Sequence, residues 1–133
     1  MEDMSIAELM RALRDKLLEA HERLTLEYSE PLEEFSGSIE ELGGINFLYI
    51  TAGWCAPCIS FMDTVRRVAR KYLGKARFYK VDIDKSMDLV DYLRVDYIPA
   101  FVAVVDGEVV DRVYGVVSYN KLEGVIERVL RSR

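Results

Sequence analysis

Cys55 and Cys58, separated only by Ala56 and Pro57, are the residues of this chain best suited to covalent chemistry. Two thiols at that spacing can exchange a disulfide with an outside partner, or they can ligate a soft metal. Exchange requires a thiolate that attacks a disulfide sulfur and a second thiol that resolves the mixed disulfide. A helix start serves that need, because unpaired backbone N–H groups and the positive dipole end stabilise the first sulfur as thiolate. Pro57 suits such a start, having no N–H to lose and a φ preset for an early helical position. The second cysteine then falls one turn along, within bonding reach but deeper, and Trp54 adds an apolar flank. On this reading Cys55 is the nucleophile and Cys58 the resolving thiol.

The metal reading has less to build on. A structural zinc site usually takes four Cys or His ligands, and this chain has one Cys pair and a single histidine, His21. A metal bridging the Cys pairs of two chains is the form of that reading that remains. No Ser/His/Asp set, phosphate loop or paired-carboxylate site stands out. No metal is expected, and no cofactor beyond a redox-active Cys55–Cys58 disulfide.

Composition bounds the partners. At 133 residues the chain can bury one hydrophobic core. A net charge of −5 argues against nucleic acid, and the excess of acid lies before residue 36. No apolar run approaches the roughly 20 residues that span a bilayer. Met1-Glu2-Asp3-Met4 lacks the basic start of a secretory signal, so the expected location is the cytoplasm, with no membrane contact. The absence of Gln, with 31% charged residues, leans towards heat adaptation.

The elements that must position the cysteines follow from periodicity. Ser5 with Glu8 forms a capping box, and Ile6, Leu9, Met10, Leu13, Leu17 and Leu24 recur at helical spacing. This predicts an amphipathic helix to about His21, then a short strand where Leu24, Leu26 and Tyr28 alternate. Its apolar stripe must be covered by its own domain, a second copy or a partner. Ser38 with Glu41 predicts a short helix ending at Gly43-Gly44. Ile45–Thr51 reads as a central strand covered on both faces. A helix follows on the cysteines with Ile59, Met62, Val65, Ala69 and Tyr72 as its buried stripe, stopped by Gly74. Strands at 78–82 and 101–105, a helix at 87–94, a hairpin turn at Asp106-Gly107, a returning strand at 108–114 and a helix capped by Ser118 complete the order. From Ile45 onward the order is β-α-β-α-β-β-α, an α/β fold with a mixed central sheet and helices on both faces.

These features together resemble the thioredoxin family over residues 24–133, with residues 1–23 as an N-terminal helical extension. Trp54-Cys55-Ala56-Pro57-Cys58 is similar to the family's active site, Lys80-Val81-Asp82-Ile83-Asp84 to its third strand, and Ile98-Pro99 to its cis-proline loop. Asp106-Gly107 and Gly115 sit where the family has its hairpin and the glycine bordering the site. The resemblance implies a thioredoxin fold and disulfide exchange with protein substrates, supplied with electrons by an upstream disulfide reductase. It also implies that Pro99 lies opposite the sulfurs and that Ile98 pairs with an extended substrate strand. Trp54, Ile98, Val116 and Val117 would then form an apolar docking patch. The alternative function is a thioredoxin-like adaptor that uses the N-terminal helix, with the Cys pair incidental or metal-binding.

Three positions depart from the family pattern. Tyr49 stands where the family carries a buried Asp paired with a Lys, here Lys80; a Tyr is a poor base near neutrality. Without that acid, Lys80 is expected to favour thiolate and make the protein more oxidising, with Tyr49 hydrogen-bonding Lys80 or Cys58; equally, Tyr49 fills core volume. Asp63 replaces a kinking proline, and Thr51 replaces a common aromatic.

Overall fold

β2, Ile45–Thr51, is the middle strand of the sheet, and its last six residues are buried. Its alternate side chains serve two cores. Phe47 and Tyr49 face one cluster with Phe61, Val65, Leu122 and Ile126, while Leu48 and Ile50 face another with Leu89, Leu93 and Val102. A strand covered on both faces has no polar side to show, which is why its sequence is a nearly continuous apolar run, with Asn46 and Thr51 buried among the rest.

The computed structural model describes residues 4–28 and 30–133. The reading of Met1-Glu2-Asp3 lies outside them, as do the side chains of Leu26 and Tyr28. The chain divides into two compact units, Met1–Glu30 and Pro31–Arg133. The second holds a five-stranded sheet in the order β1-β3-β2-β4-β5. β1 is Glu33–Glu34, β3 Arg77–Asp82, β4 Ala100–Val105 and β5 Glu108–Tyr114. β2 runs parallel to β3 and antiparallel to β4, and β4 is antiparallel to β5. α2, Ala56–Lys71, and α4, Tyr119–Arg131, cover one face. α3, Met87–Leu93, and a 3₁₀ turn, Ile39–Glu41, cover the other. Asp106 and Gly107 both have positive φ, 50° and 83°, the backbone of the tight turn that their sequence announces. Ser118 Oγ accepts from the Lys121 amide at 3.1 Å and caps α4.

The first unit is α1, Ile6–Tyr28, with Ser5 Oγ accepting from the Glu8 amide at 3.2 Å. The predicted strand at 24–28 is therefore overturned. Leu24 and Tyr28 are also one helical turn apart, and no Gly or Pro intervenes before Pro31 to stop the helix, so the alternation was a helical period sampled too briefly. The first strand is Glu33–Glu34 instead, paired with Tyr79 and Lys80. The predicted helix after Ser38 is a single 3₁₀ turn whose Ser38 side chain caps nothing; that hydroxyl is engaged by the Glu40 carboxylate.

The predicted stripe of α2 holds at Val65, Ala69 and Tyr72, with Met62 packed against the same core, and is corrected at Ile59. Its buried residues are Cys58, Phe61, Val65, Val68 and Ala69, whereas Ile59 is 58% exposed. Burial of Cys58 sets the rotation of the helix, and Phe61, Val65 and Val68 follow it at intervals of three and four.

Two tyrosines sealed into the α2–α4 core have a consequence at high pH. Burial raises the pKa of both Tyr49 and Tyr72 well above the ordinary phenol value, and the Glu127 carboxylate accepting from Tyr72 Oη at 2.6 Å raises that of Tyr72 further. Below about pH 10 both states keep these phenols neutral and the stabilisation is complete. Above it the unfolded chain releases protons that the fold retains, so stability falls as pH rises, by up to about one additional proton per group. Denaturant melts between pH 8 and 11 are expected to show that decline, and Tyr72→Phe to make it shallower; an unchanged slope contradicts this account.

Candidate active site

Where β2 ends, Ala52-Gly53-Trp54 leads the chain into α2 with Cys55 as N-cap, its backbone extended at φ −94°, ψ 103°. Cys55 Sγ accepts from the Cys58 amide at 3.3 Å, so a helix-start N–H does point at this sulfur. The two cysteines form a disulfide with their Cα atoms 5.3 Å apart. They differ in access: Cys55 is 7% exposed and Cys58 is 0%. Pro57 stands in the first turn of α2, where an N–H would have no partner in the helix.

Ala52, Ile83 and Ile98 pack against the pair, giving the sulfurs an apolar surround. The Ile98–Pro99 peptide is cis, and Pro99 O accepts from the Gly115 amide at 2.8 Å, tying the two loops together. Trp54, 68% exposed, donates through Nε1 to Asp84 Oδ2 at 3.0 Å. Trp54 and Ile98 share a groove of about 480 Å³ with Ile83, Asp84, Met87 and Tyr97. Val116 is exposed but is not part of that groove's lining, and Val117 packs into the α2–α4 core. The expected four-residue patch is thus only half gathered.

Tyr49 and Lys80 are register partners on adjacent strands. Tyr49 is fully buried, and its hydroxyl donates to the backbone oxygen of Cys58 at 2.6 Å, leaving the sulfur untouched. Burial raises its pKa; the Thr51 hydroxyl beside it works the other way. Lys80 Nζ lies 3.8 Å from Glu34 Oε1, a carboxylate that the expected Lys80–Tyr49 pairing left out. Asp63 keeps α2 uninterrupted and pairs with Arg66 at 3.5 Å.

Sequence reasoning gave no role to Ile83, Asp84 or Glu34. Each reaches the site from another strand or loop, with no local periodicity to mark it. Among the described residues, no group of three or more His, Cys, Asp or Glu could hold a metal ion.

A disulfide at the head of the helix that follows the central strand, in this strand order, defines the thioredoxin-fold class of dithiol proteins. The family model for thioredoxin matches residues 29–128, and the chain belongs to that family. Thioredoxin H7 of Arabidopsis thaliana is 38% identical over 65% of this chain and 68% of its own length. Thioredoxin of Staphylococcus saprophyticus is 34% identical over 65% of this chain and 84% of its own. The thioredoxin structure from Trypanosoma brucei brucei superposes with a TM-score of 0.67, covering 78% of this chain and 96% of that one at 21% identity, a likeness of fold. The chain is a protein-disulfide oxidoreductase, and the adaptor reading is not favoured.

Proposed function

We propose that the reduced protein donates two electrons to protein disulfides, with Cys55 as nucleophile and Cys58 as resolving thiol. The observation that carries this is the asymmetry of the pair: Cys55 is the more accessible sulfur and faces the Cys58 amide, while Cys58 is sealed. Cys55 thiolate attacks one substrate sulfur; an S–S bond forms to Cys55, the substrate S–S bond breaks, and one substrate thiolate leaves. Cys58 then attacks the Cys55 sulfur, closing the protein disulfide and releasing the second substrate thiolate. Two electrons have passed to the substrate, and no cofactor or metal enters. An upstream disulfide reductase must return the pair to dithiol.

The proton of Cys58 needs an acceptor. Tyr49 is held neutral by burial and bonded to a backbone oxygen, so it is not that base. The departing substrate thiolate, the base that the reaction itself supplies, takes the proton. Lys80 stands beside Tyr49 on the sheet, and its charge is offset by Glu34, which weakens the case for Lys80 as the sole stabiliser of thiolate.

Trp54, Ile98 and Pro99 form the docking edge for an extended segment of the substrate, whose backbone Ile98 meets. Val116 borders that edge without lining the groove. No described helix is long and apolar enough to cross a membrane; we place the protein in the cytoplasm, where a reducing pool maintains such dithiols. The extension at residues 1–23, whose helix continues to Tyr28, is a functional element separate from the redox domain that follows it.

The role assignment is tested by Cys58→Ser. With resolution blocked, the protein accumulates as a mixed disulfide with an oxidised protein substrate, linked through Cys55 and visible by mass spectrometry after alkylation. A linkage through any other residue, or no adduct from a folded variant, contradicts the assignment.

A further inference from the structure

α1 carries a pattern that disulfide exchange does not use. Ile6, Met10, Leu13, Leu17, Ala20 and Leu24 are spaced alternately by four and three, which is the 3.5-residue period of a coiled-coil seam. Five of them lie open: Ile6 is 77% exposed, Met10 66%, Leu13 59%, Leu17 62% and Leu24 53%. The charges are zoned around this seam. Arg14 follows Leu13, and Lys16 and Arg23 precede Leu17 and Leu24, so bases border both sides. Glu8, Asp15 and Glu22, seven residues apart, run down the opposite side. The Arg14–Asp15 pair at 3.8 Å is solvent-exposed and contributes little that a partner would have to displace.

We propose that α1 docks an α-helix of another protein, one whose own apolar seam is flanked by carboxylates. The bordering bases select that occupant, because flanking charges set partner choice across a coiled-coil seam. A second copy is the poorer fit. At the heptad positions that flank the seam stand Ala7, Leu9, Arg14, Lys16, His21 and Arg23, none of them acidic, so neither parallel nor antiparallel pairing of flanking positions sets a carboxylate opposite Arg14, Lys16 or Arg23. A lipid surface is the poorer fit as well. The residues of α1 hold five acids against four bases, so the helix has no net attraction to an anionic bilayer.

The probes are two synthetic three-heptad peptides with Leu at both seam positions, one with Glu and one with Lys at the flanking positions. Each repels itself, so each meets the full-length protein as a monomer. The Glu peptide is expected to bind at least roughly tenfold more tightly than the Lys peptide, as three attractive flanking pairs replace three repulsive ones, and the margin should shrink as salt is raised. Leu13→Ser with Leu17→Ser should abolish binding while disulfide reductase activity stays unchanged. Arg14→Glu, Lys16→Glu and Arg23→Glu together should reverse the preference, a readout that mere loss of helix cannot mimic. Equal affinity for the two peptides overturns the proposal, as does no binding to either. So does a concentration-dependent dimer, or binding to phosphatidylcholine or phosphatidylserine vesicles, if it is lost with Leu13 and Leu17.

Discussion

Cys55→Ser is expected to reduce dithiothreitol-driven reduction of a protein disulfide to the rate of dithiothreitol alone, with the protein's own contribution lost by a factor on the order of 10³ or more. The size follows from the step that is lost. A serine hydroxyl at this N-cap can accept the same amide bond from Cys58, so the helix start survives, but it forms no S–S bond with substrate. Cys58 cannot substitute, because it is fully buried behind the N-cap and its sulfur has no route to a partner disulfide. Thermal melts should show the variant folded with only a modest shift, and substantial remaining activity would remove Cys55 from the centre of the chemistry.

Tyr49→Asp is expected to act on both stability and redox poise. The substitution trades a fully buried aromatic that packs edge-on to Phe61, ring centroids 5.9 Å apart, for a small acid. The resulting cavity and the burial of a polar group destabilise the fold by roughly 3 kcal/mol or more. Any carboxylate that forms there disfavours thiolate on Cys58 nearby, so the dithiol state loses relative to the disulfide. The reduction potential should therefore fall, becoming more reducing by about 30 mV, which corresponds to about 1.4 kcal/mol for two electrons. Tyr49→Phe separates the parts: it keeps the volume, removes only the bond to the Cys58 carbonyl, and should leave the potential close to that of the parent. Equal potentials for parent and Tyr49→Asp would mean that Tyr49 is a packing residue and nothing more.

The parts of this molecule that could be read in advance are those whose signal is local. Ile45–Thr51 announced a doubly covered strand, Asp106-Gly107 its turn, and Ser118 its cap, each through a few neighbouring residues. The Cys55–Cys58 spacing likewise carried its own chemistry. Readings failed where a short run fits two periods, as at Leu24–Tyr28, or where a helix phase depends on which residue the core claims, as with Ile59 against Phe61. They were silent where the contact joins distant segments. Trp54 finds Asp84 thirty residues on, and nothing near either residue marks the pairing. Tyr49 was recognised as unusual, yet only the fold shows its hydroxyl spent on the Cys58 backbone oxygen.

The central place of β2 also bears on how the chain is made. It is synthesised before either of its neighbours, since β3 and β4 both follow it in sequence. Its antiparallel partner is complete only about fifty residues after Thr51, roughly 3–10 s later at ribosomal rates of 5–20 residues per second. Until β3 emerges about thirty residues after Thr51, Phe47-Leu48-Tyr49-Ile50 is an unpaired apolar strand, an adhesive segment of the nascent chain, and its other edge stays open until β4 is made. The hairpin of β4 and β5 needs only a two-residue turn and closes quickly. Once it exists it offers β2 a ready edge, so the strand made first among the large ones waits longest for its second neighbour.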